Sequence, residues 1–97
     1  NSLPNTWFVK IQQVTLRGTP DFLLCVHGVF VALELKSSSA EKPTELQAYN
    51  LAKIAKAKGL ALLVHPENWS EVYSCLHKVA QSGKIPSIKD SANIAEA

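Results

Sequence analysis

Two acidic residues and a lysine lie near one another at the ends of two short apolar runs. Asp21 comes directly before the first run, and Glu34 and Lys36 stand at the end of the second. Carboxylates are ligands that Mg²⁺ accepts together with water and phosphate oxygens. An ammonium group can stabilise negative charge on a phosphate. These residue types therefore indicate a metal site that acts on a phosphate, provided that the fold brings them together.

The two apolar runs predict a β-hairpin that would do so. His27 and Gly28 separate the runs, and Gly takes a positive φ without steric cost, which suits a two-residue turn. In that register Asp21 lies directly opposite Glu34, and a bound divalent cation would offset the repulsion of the two acids. Lys36 lies two residues beyond Glu34 and therefore points to the same face. The alternative is a strand end that carries ordinary solvated charges.

The composition bounds the class of protein. The chain has 97 residues, 46% of them hydrophobic, which fits one small domain over residues 1–97 with residues 84–97 as a tail. The formal net charge is +2, which permits nucleic-acid binding without requiring it. Long apolar runs and a signal-peptide pattern are absent from the sequence, so we expect a soluble intracellular protein outside membranes. Cys25 and Cys75 stand alone in apolar patterns, which predicts reduced core residues.

Hydrophobic periodicity predicts four strands and two helices. The strands are expected over residues 7–11, 22–26, 29–35 and 60–64, and the helices over about 44–58 and 68–83. The third strand is apolar on both faces until its end, so we expect it in the centre of the sheet. The order of elements predicts an α/β fold with a mixed sheet: an antiparallel meander, a crossover helix, a further strand parallel to its neighbour, and helices flanking the sheet. Gly59 is the expected stop of the first helix.

Both predicted helices begin with the spacing of a capping box. Thr44 and Gln47 have this spacing at the first helix, and Asn68 and Glu71 have it at the second. Gln47 has two alternative roles that the sequence does not separate. One is a capping hydrogen bond with Thr44, and the other is to orient a water, a ligand or the lysine of the site in a cleft.

Several polar and basic residues flank the predicted site and could contact a nucleic-acid backbone. Each of them has the simpler alternative of a solvated surface side chain. The set is Lys10, Arg17, Thr19, Ser37, Lys42 and Lys53. His65 ends the fourth predicted strand, and a single histidine in such a position is only a weak catalytic candidate.

The order and spacing of these motifs resemble the PD-(D/E)XK nuclease superfamily, and within it the VRR-NUC group of small nucleases common in bacteriophages. The similar elements are Gly18-Thr19-Pro20-Asp21 before a hairpin, Glu34-Leu35-Lys36 at the end of the next strand, a polar loop, and Gln47 near the start of a helix. They fall within residues 7–76, most of the chain. Many relatives carry a further acidic residue on a helix before the first strand. No Asp or Glu precedes Asp21 here, so whether one or two metal ions bind stays open.

The resemblance implies a restriction-endonuclease-like core and a set of site residues. Asp21 and Glu34 would hold Mg²⁺ or Mn²⁺ together with the backbone carbonyl of Leu35. Lys36 would position or activate the attacking water and stabilise the phosphate charge, with Gln47 in support. The implied function is a metal-dependent DNA endonuclease, selective for branched DNA such as Holliday junctions and acting as a homodimer in phage or bacterial replication, recombination or repair. The alternative from another class is a non-catalytic nucleic-acid-binding or assembly domain that keeps the fold.

Overall fold

The computed structural model describes residues 3–11 and 18–86 of the chain. These residues form a mixed α/β fold with one four-stranded sheet and two helices. The strands are β1 (Thr6–Lys10), β2 (Phe22–Val26), β3 (Val29–Leu35) and β4 (Leu60–Val64); the helices are α1 (Glu45–Lys56) and α2 (Trp69–Ser82), with a 3₁₀ turn at Pro66–Asn68 before α2. The predicted strands and helices are confirmed, with small shifts at their ends.

The sheet has the strand order β1-β2-β3-β4. The pairs β1–β2 and β2–β3 are antiparallel and the pair β3–β4 is parallel, which confirms the meander, the crossover and the interior position of β3. The hairpin register is also confirmed, since Val26 pairs with Val29. His27 and Gly28 form the turn with φ of 48° and 85°, the positive values that a tight hairpin requires at both positions. His27 is held in this conformation by a 2.9 Å hydrogen bond from its Nδ1 to the Ala80 carbonyl.

The two helices pack on opposite faces of the sheet. Val31 and Leu33 of β3 belong to the large core cluster, which includes the buried residues of α2. Ala32 of β3 faces the other way and packs with Leu51 of α1 and Ala61 of β4 in a much smaller cluster. The α1 face therefore has less apolar packing, and the polar end of β3 opens on that face.

The end of α1 differs from the prediction that Gly59 stops the helix in a left-handed conformation. The residue with positive φ is Lys58, at 76°. The Lys58 N–H donates to the Ala55 carbonyl and the Gly59 N–H donates to the Ile54 carbonyl, which together make a Schellman ending. Gly59 is suited to its position for a different reason: a Cβ there would lie 2.9 Å from the Ile54 side chain.

The capping box predicted for α2 is wrong. The buried Asn68 side chain makes no capping hydrogen bond to the helix. Its Oδ1 accepts from the His65 N–H at 2.9 Å and its Nδ2 donates to the Leu63 carbonyl at 2.9 Å. Backbone groups at the end of β4 need partners where the chain turns away from the sheet, and Asn68 supplies them. The predicted end of α2 is confirmed, because Gly83 takes a φ of 71° there.

The two cysteines are free, but only one of them is a core residue. Cys75 is buried in the α2 cluster, and burial raises the pKa of its thiol. Cys25 is exposed on β2, so its prediction as a core residue is wrong. The alternation along β2 explains this result, since Leu24 and Val26 point into the core and Cys25 points the other way.

Candidate active site

Glu34 and Lys36 occupy the end of β3. Glu34 pairs with Leu63 of β4 and only 3% of it is exposed. The Lys36 N–H donates to the Val64 carbonyl at 2.7 Å, so pairing with β4 extends one residue beyond β3. Lys36 Nζ lies 3.8 Å from Glu34 Oε2, and 7% of the lysine side chain is exposed. Two charged groups are therefore buried at the carboxyl end of an interior strand, where ligand clefts form in open α/β sheets.

Gln47 connects these two charges from the start of α1. Its Nε2 donates to Glu34 Oε2 at 2.9 Å, and its Oε1 accepts from Lys36 Nζ at 2.8 Å. The same Oε1 accepts from the Thr44 N–H at 2.9 Å, and the Gln47 N–H donates to Thr44 Oγ1 at 3.1 Å, which completes a capping box. The two roles considered for Gln47 are thus combined in one side chain: it caps α1 and it orients Lys36.

Asp21 lies directly before β2, next to Glu34 as the hairpin register predicts. The pairing of β2 with β3 ends at Phe22–Leu33, one position before these two acids, and the Asp21 side chain is within hydrogen-bonding reach of Glu34. The Asp21 N–H donates to the Leu33 carbonyl at 2.9 Å. Its Oδ2 accepts from the Leu35 N–H at 2.7 Å. Because β3 continues past the end of β2, that N–H lies beyond the paired ladder and binds the carboxylate instead. Asp21 is therefore fixed by two backbone contacts with β3, and its carboxylate lies within hydrogen-bonding reach of Glu34.

Glu34 carries the clearest electrostatic signature of the site. Its pKa is raised from 4.5 to about 7, first by burial and then by the charge of Asp21, while the Lys36 ammonium acts in the opposite direction. A protonated Glu34 shares a side-chain hydrogen bond with Asp21, which also raises its pKa. With both acids ionised, Glu34 Oε1 is the only buried side-chain nitrogen or oxygen of residues 3–11 and 18–86 without a hydrogen-bond donor. Buried polar atoms are nearly always paired in native proteins. This oxygen therefore marks a place where a cation, or a donor from outside the chain, fits.

Glu41 is a member of this charge cluster that the sequence reasoning missed. Its Oε1 accepts from the Ser37 N–H at 2.7 Å and from Ser37 Oγ at 2.8 Å. Its Oε2 lies 3.8 Å from Lys36 Nζ. The hydrogen bonds from Ser37 hold the pKa of Glu41 below its ordinary value. The only sequence signal was the four-residue spacing from Ser37, which is weak evidence in a polar loop without periodicity.

The residues predicted to contact a nucleic-acid backbone are spread over several elements. Lys10 is exposed and pairs with Phe22, next to Asp21. Thr19 and Lys53 line a groove beside α1, where the Lys53 ammonium lies 5.6 Å from the centre of the Tyr49 ring. Ser37 is bonded to Glu41, and Lys42 is exposed in the same loop. Arg17 lies outside the described residues. Phosphate contact by this set stays a prediction.

His65 has a structural environment. It is buried, and its Nδ1 lies 3.0 Å from Glu67 Oε1. The same Glu67 oxygen accepts from the Ser39 N–H at 3.1 Å, which ties the polar loop after β3 to the turn after β4. These contacts support a role for His65 in positioning the loops around the site, rather than in chemistry.

The site offers fewer protein ligands for a metal ion than a site built entirely from side chains would. In the part of the chain that the structure describes, no group of three or more His, Cys, Asp or Glu side chains is placed to hold a metal ion. The site offers two carboxylates, those of Asp21 and Glu34, and the contribution of the Leu35 carbonyl stays a prediction. This number suits Mg²⁺, which usually keeps several waters and takes only one or two carboxylates.

Comparison with known proteins gave no relative: no family model, no curated protein and no solved structure matches the chain. Among the helices of the described residues, none is long and apolar enough to cross a membrane.

Proposed function

We propose that this chain is a Mg²⁺- or Mn²⁺-dependent DNA endonuclease of the PD-(D/E)XK type, with Asp21, Glu34, Lys36 and Gln47 as its site residues. One observation carries the proposal: with both acids ionised, a buried carboxylate oxygen of Glu34 has no donor among the described residues and faces a second acid and an ammonium group bonded to Gln47. Two acids suit a hard cation, and the ammonium suits a phosphate. The mixed sheet is compatible with the restriction-endonuclease-like core that the resemblance implies.

The donors that are present fit a divalent cation. Glu34 Oε2 is bonded to Gln47, which leaves Oε1 for the ion. Asp21 Oδ2 accepts from the Leu35 N–H, which leaves the second oxygen of that carboxylate. These two oxygens and the carbonyl of Leu35 would hold the ion. When bound, it supplies Lewis acidity and lowers the pKa of a coordinated water.

Lys36 and Gln47 do the rest of the chemistry assigned to this chain. An ammonium group has three N–H donors, and the 2.8 Å bond to Gln47 Oε1 takes one of them. The others can reach an oxygen of the scissile phosphate. Since the side chain is almost fully buried, water screens its charge poorly, and the charge stabilises the negative charge that develops during hydrolysis. Gln47 acts as a positioning residue for Lys36.

The substrate and assembly follow from the resemblance and from size. The resemblance to the VRR-NUC group suggests branched DNA, such as a Holliday junction, in phage or bacterial DNA replication, recombination or repair. A domain of this size presents little surface to such a substrate, and a two-fold symmetric homodimer would present two sites. Cleavage of linear, flapped, forked and four-way DNA side by side measures the first point. The mass in solution at assay concentration measures the second.

Nicking of supercoiled plasmid tests the function. We expect nicking with Mg²⁺ or Mn²⁺ and none with EDTA. Lys36→Ala should lower the rate by roughly 100- to 1000-fold or more, because it removes a preorganised charge at the reacting phosphate, and should leave the chain folded. Lys78→Ala is the matched control, since it removes an exposed lysine of α2, away from the site.

Three outcomes would decide against the proposal. Nicking that persists in EDTA excludes a metal-dependent reaction. Full turnover by the Lys36→Ala variant with either metal refutes the role of the lysine. DNA binding without cleavage under all these conditions would favour the alternative of a non-catalytic nucleic-acid-binding or assembly domain.

A further inference from the structure

A small pocket lies at the same end of the sheet as the candidate active site. It has a volume of about 250 Å³ and is formed by the ends of β3 and β4 and the start of α2. Its walls are Leu35, Lys36, Val64, His65, Pro66 and Trp69, and we call it the Trp69 pocket. Lys36 lines this pocket, and its ammonium belongs to the site on the α1 side of the sheet. The pocket and the site therefore meet at one end of the sheet.

The indole of Trp69 is both exposed and fixed. It is 48% exposed, although large aromatic side chains usually contribute to cores and interfaces. Its ring centre lies 6.0 Å from that of Tyr73 with a tilt of 54°, and Tyr73 is in turn 6.3 Å from His77. This row along α2 supports one part of the indole. The exposed part is available for a planar ligand without further ordering of the side chain.

The rest of the wall is apolar except near Lys36. Leu35 is 45% exposed and Pro66 is exposed. The Nδ1 of His65 is already engaged by Glu67. The pocket thus offers an aromatic face and aliphatic surface, which are complementary to a planar ring, while the Lys36 ammonium lies on the α1 side of the same sheet end, bonded to Gln47. Its volume is below the roughly 300 Å³ at which pockets for drug-sized ligands begin, so it suits a single ring system.

We infer that the Trp69 pocket receives one unpaired nucleobase of a DNA strand, stacked on the Trp69 indole, while a neighbouring phosphate of that strand lies at Lys36. A base and its phosphate are joined through a single sugar, so a strand that crosses this end of the sheet can place a base in the pocket and a phosphate at the Lys36 ammonium. A base inside a duplex must leave the stack to enter, and this costs least where the strand is already single or branched. The inference rests on the proposed nuclease function and adds to it a reason for selecting unpaired DNA.

Binding of a single-stranded oligonucleotide in EDTA tests the pocket without cleavage. Trp69→Ala should weaken binding by roughly five- to 150-fold, the range for loss of one stacked base. Trp69→Phe, which keeps an aromatic face, should retain most of the affinity. Trp7→Ala is the matched control, because Trp7 is 65% exposed on the edge strand β1. In a Trp7→Phe background, the oligonucleotide should quench the remaining Trp69 fluorescence.

A second arm replaces the bases by abasic nucleotides one position at a time. One such position should weaken binding to the wild-type chain about as much as Trp69→Ala does, and should add little to the loss in that variant. Independent, additive losses would overturn the inference, as would equal affinity of the Trp69→Ala and Trp7→Ala variants. A wild-type chain that does not bind the oligonucleotide would overturn it too.

Two further controls keep the test decisive. If Trp69→Ala unfolds the chain by circular dichroism, Trp69→Leu keeps apolar burial without the aromatic face and should show the same loss. A change of mass in solution on substitution of Trp69 would assign the patch to a contact between copies and overturn the inference. Since this assay contains no metal, failed plasmid nicking together with Trp69-dependent stacking would count against the nuclease alone.

Discussion

Two acids, Glu34 and Glu41, lie at the same distance from the Lys36 ammonium but differ in burial and in pKa. Glu34 Oε2 and Glu41 Oε2 are each 3.8 Å from its ammonium nitrogen. Glu34 is 3% exposed, and its pKa is raised to about 7; Glu41 is 46% exposed, and its pKa is lowered. Distance to the lysine therefore does not decide the protonation of either acid. Burial decides it for the first, and hydrogen bonds from Ser37 decide it for the second.

The comparison separates a built site from a surface contact. Taking a carboxylate out of water is unfavourable, and an unpaired buried oxygen adds to that cost. Both costs apply to Glu34, whereas Glu41 is solvent-exposed and accepts two hydrogen bonds from Ser37. Strain of this kind is common where a ligand completes a site. In the proposed function the metal therefore lies on the Glu34 side of Lys36, and we expect Glu41 only to lower the positive potential around the lysine.

The largest expected effect is on stability, through Glu34. Its pKa is 4.5 in an ordinary setting and about 7 in the fold, so between these values the folded protein holds a proton that the unfolded chain has released. Without metal, the free energy of unfolding should be highest near the lower value and fall as the pH rises towards 7. The total loss is on the order of 3 kcal/mol. Thermal melts from pH 5 to pH 8 in EDTA measure it.

Glu34→Gln should flatten this profile, raise the metal-free stability at pH 8, and remove Mn²⁺ binding in isothermal titration. Asp21→Asn should move the fall to lower pH, because the Asp21 charge is the second cause of the raised pKa. Adding Mn²⁺ at pH 8 should restore stability to the wild-type chain only. A wild-type profile as flat as that of Glu34→Gln, or unchanged Mn²⁺ affinity in that variant, would break the contrast between the two acids.

The hairpin and the strand end of this site could be predicted from the sequence because local rules determine them. A two-residue turn leaves one register, so the pairing from Val26–Val29 onward was determined. The spacing of Glu34 and Lys36 puts both on one face of a strand. The backbone contacts of Asp21 with the Leu33 carbonyl and the Leu35 N–H could not be predicted, because they depend on where β2 stops relative to β3.

The missed features have a shared cause. Glu41 lies in a loop, where no period relates sequence to position, and its contact with Lys36 depends on how the chain returns from β3 to α1. Asn68 has the spacing of a helix cap but is buried at the end of β4, where open backbone groups bind its side chain first. In both places a contact between residues of different elements determines where the side chain binds, and the local sequence pattern does not reveal such contacts.

The next effect separates the two roles of Gln47. Gln47→Ala removes the half of the α1 capping box that the Gln47 side chain makes with the Thr44 N–H, and it removes the bonds to Glu34 and Lys36. We expect about 1 kcal/mol lower stability and a roughly 10- to 100-fold lower rate of nicking. Thr44→Ala is the matched control, because it removes the Oγ1 partner of the cap and keeps the Gln47 side chain on Lys36. Its stability should fall about as much, with activity within a few-fold of wild type. Equal loss of activity in both variants would mean that Gln47 serves the site only through the helix.

The smallest effect is expected at Glu41. Glu41→Gln keeps an oxygen for the Ser37 donors and removes one negative charge beside Lys36, so stability should hardly change. The lysine then attracts phosphate more strongly, and we expect a few-fold lower KM for plasmid at low salt, with the gain shrinking as salt rises. Glu45→Gln makes the same charge change at the exposed start of α1 and should lower KM less. A more than tenfold loss of kcat in Glu41→Gln would contradict this assignment of roles, because the exposed Glu41 would then take part in the reaction as Glu34 is proposed to do.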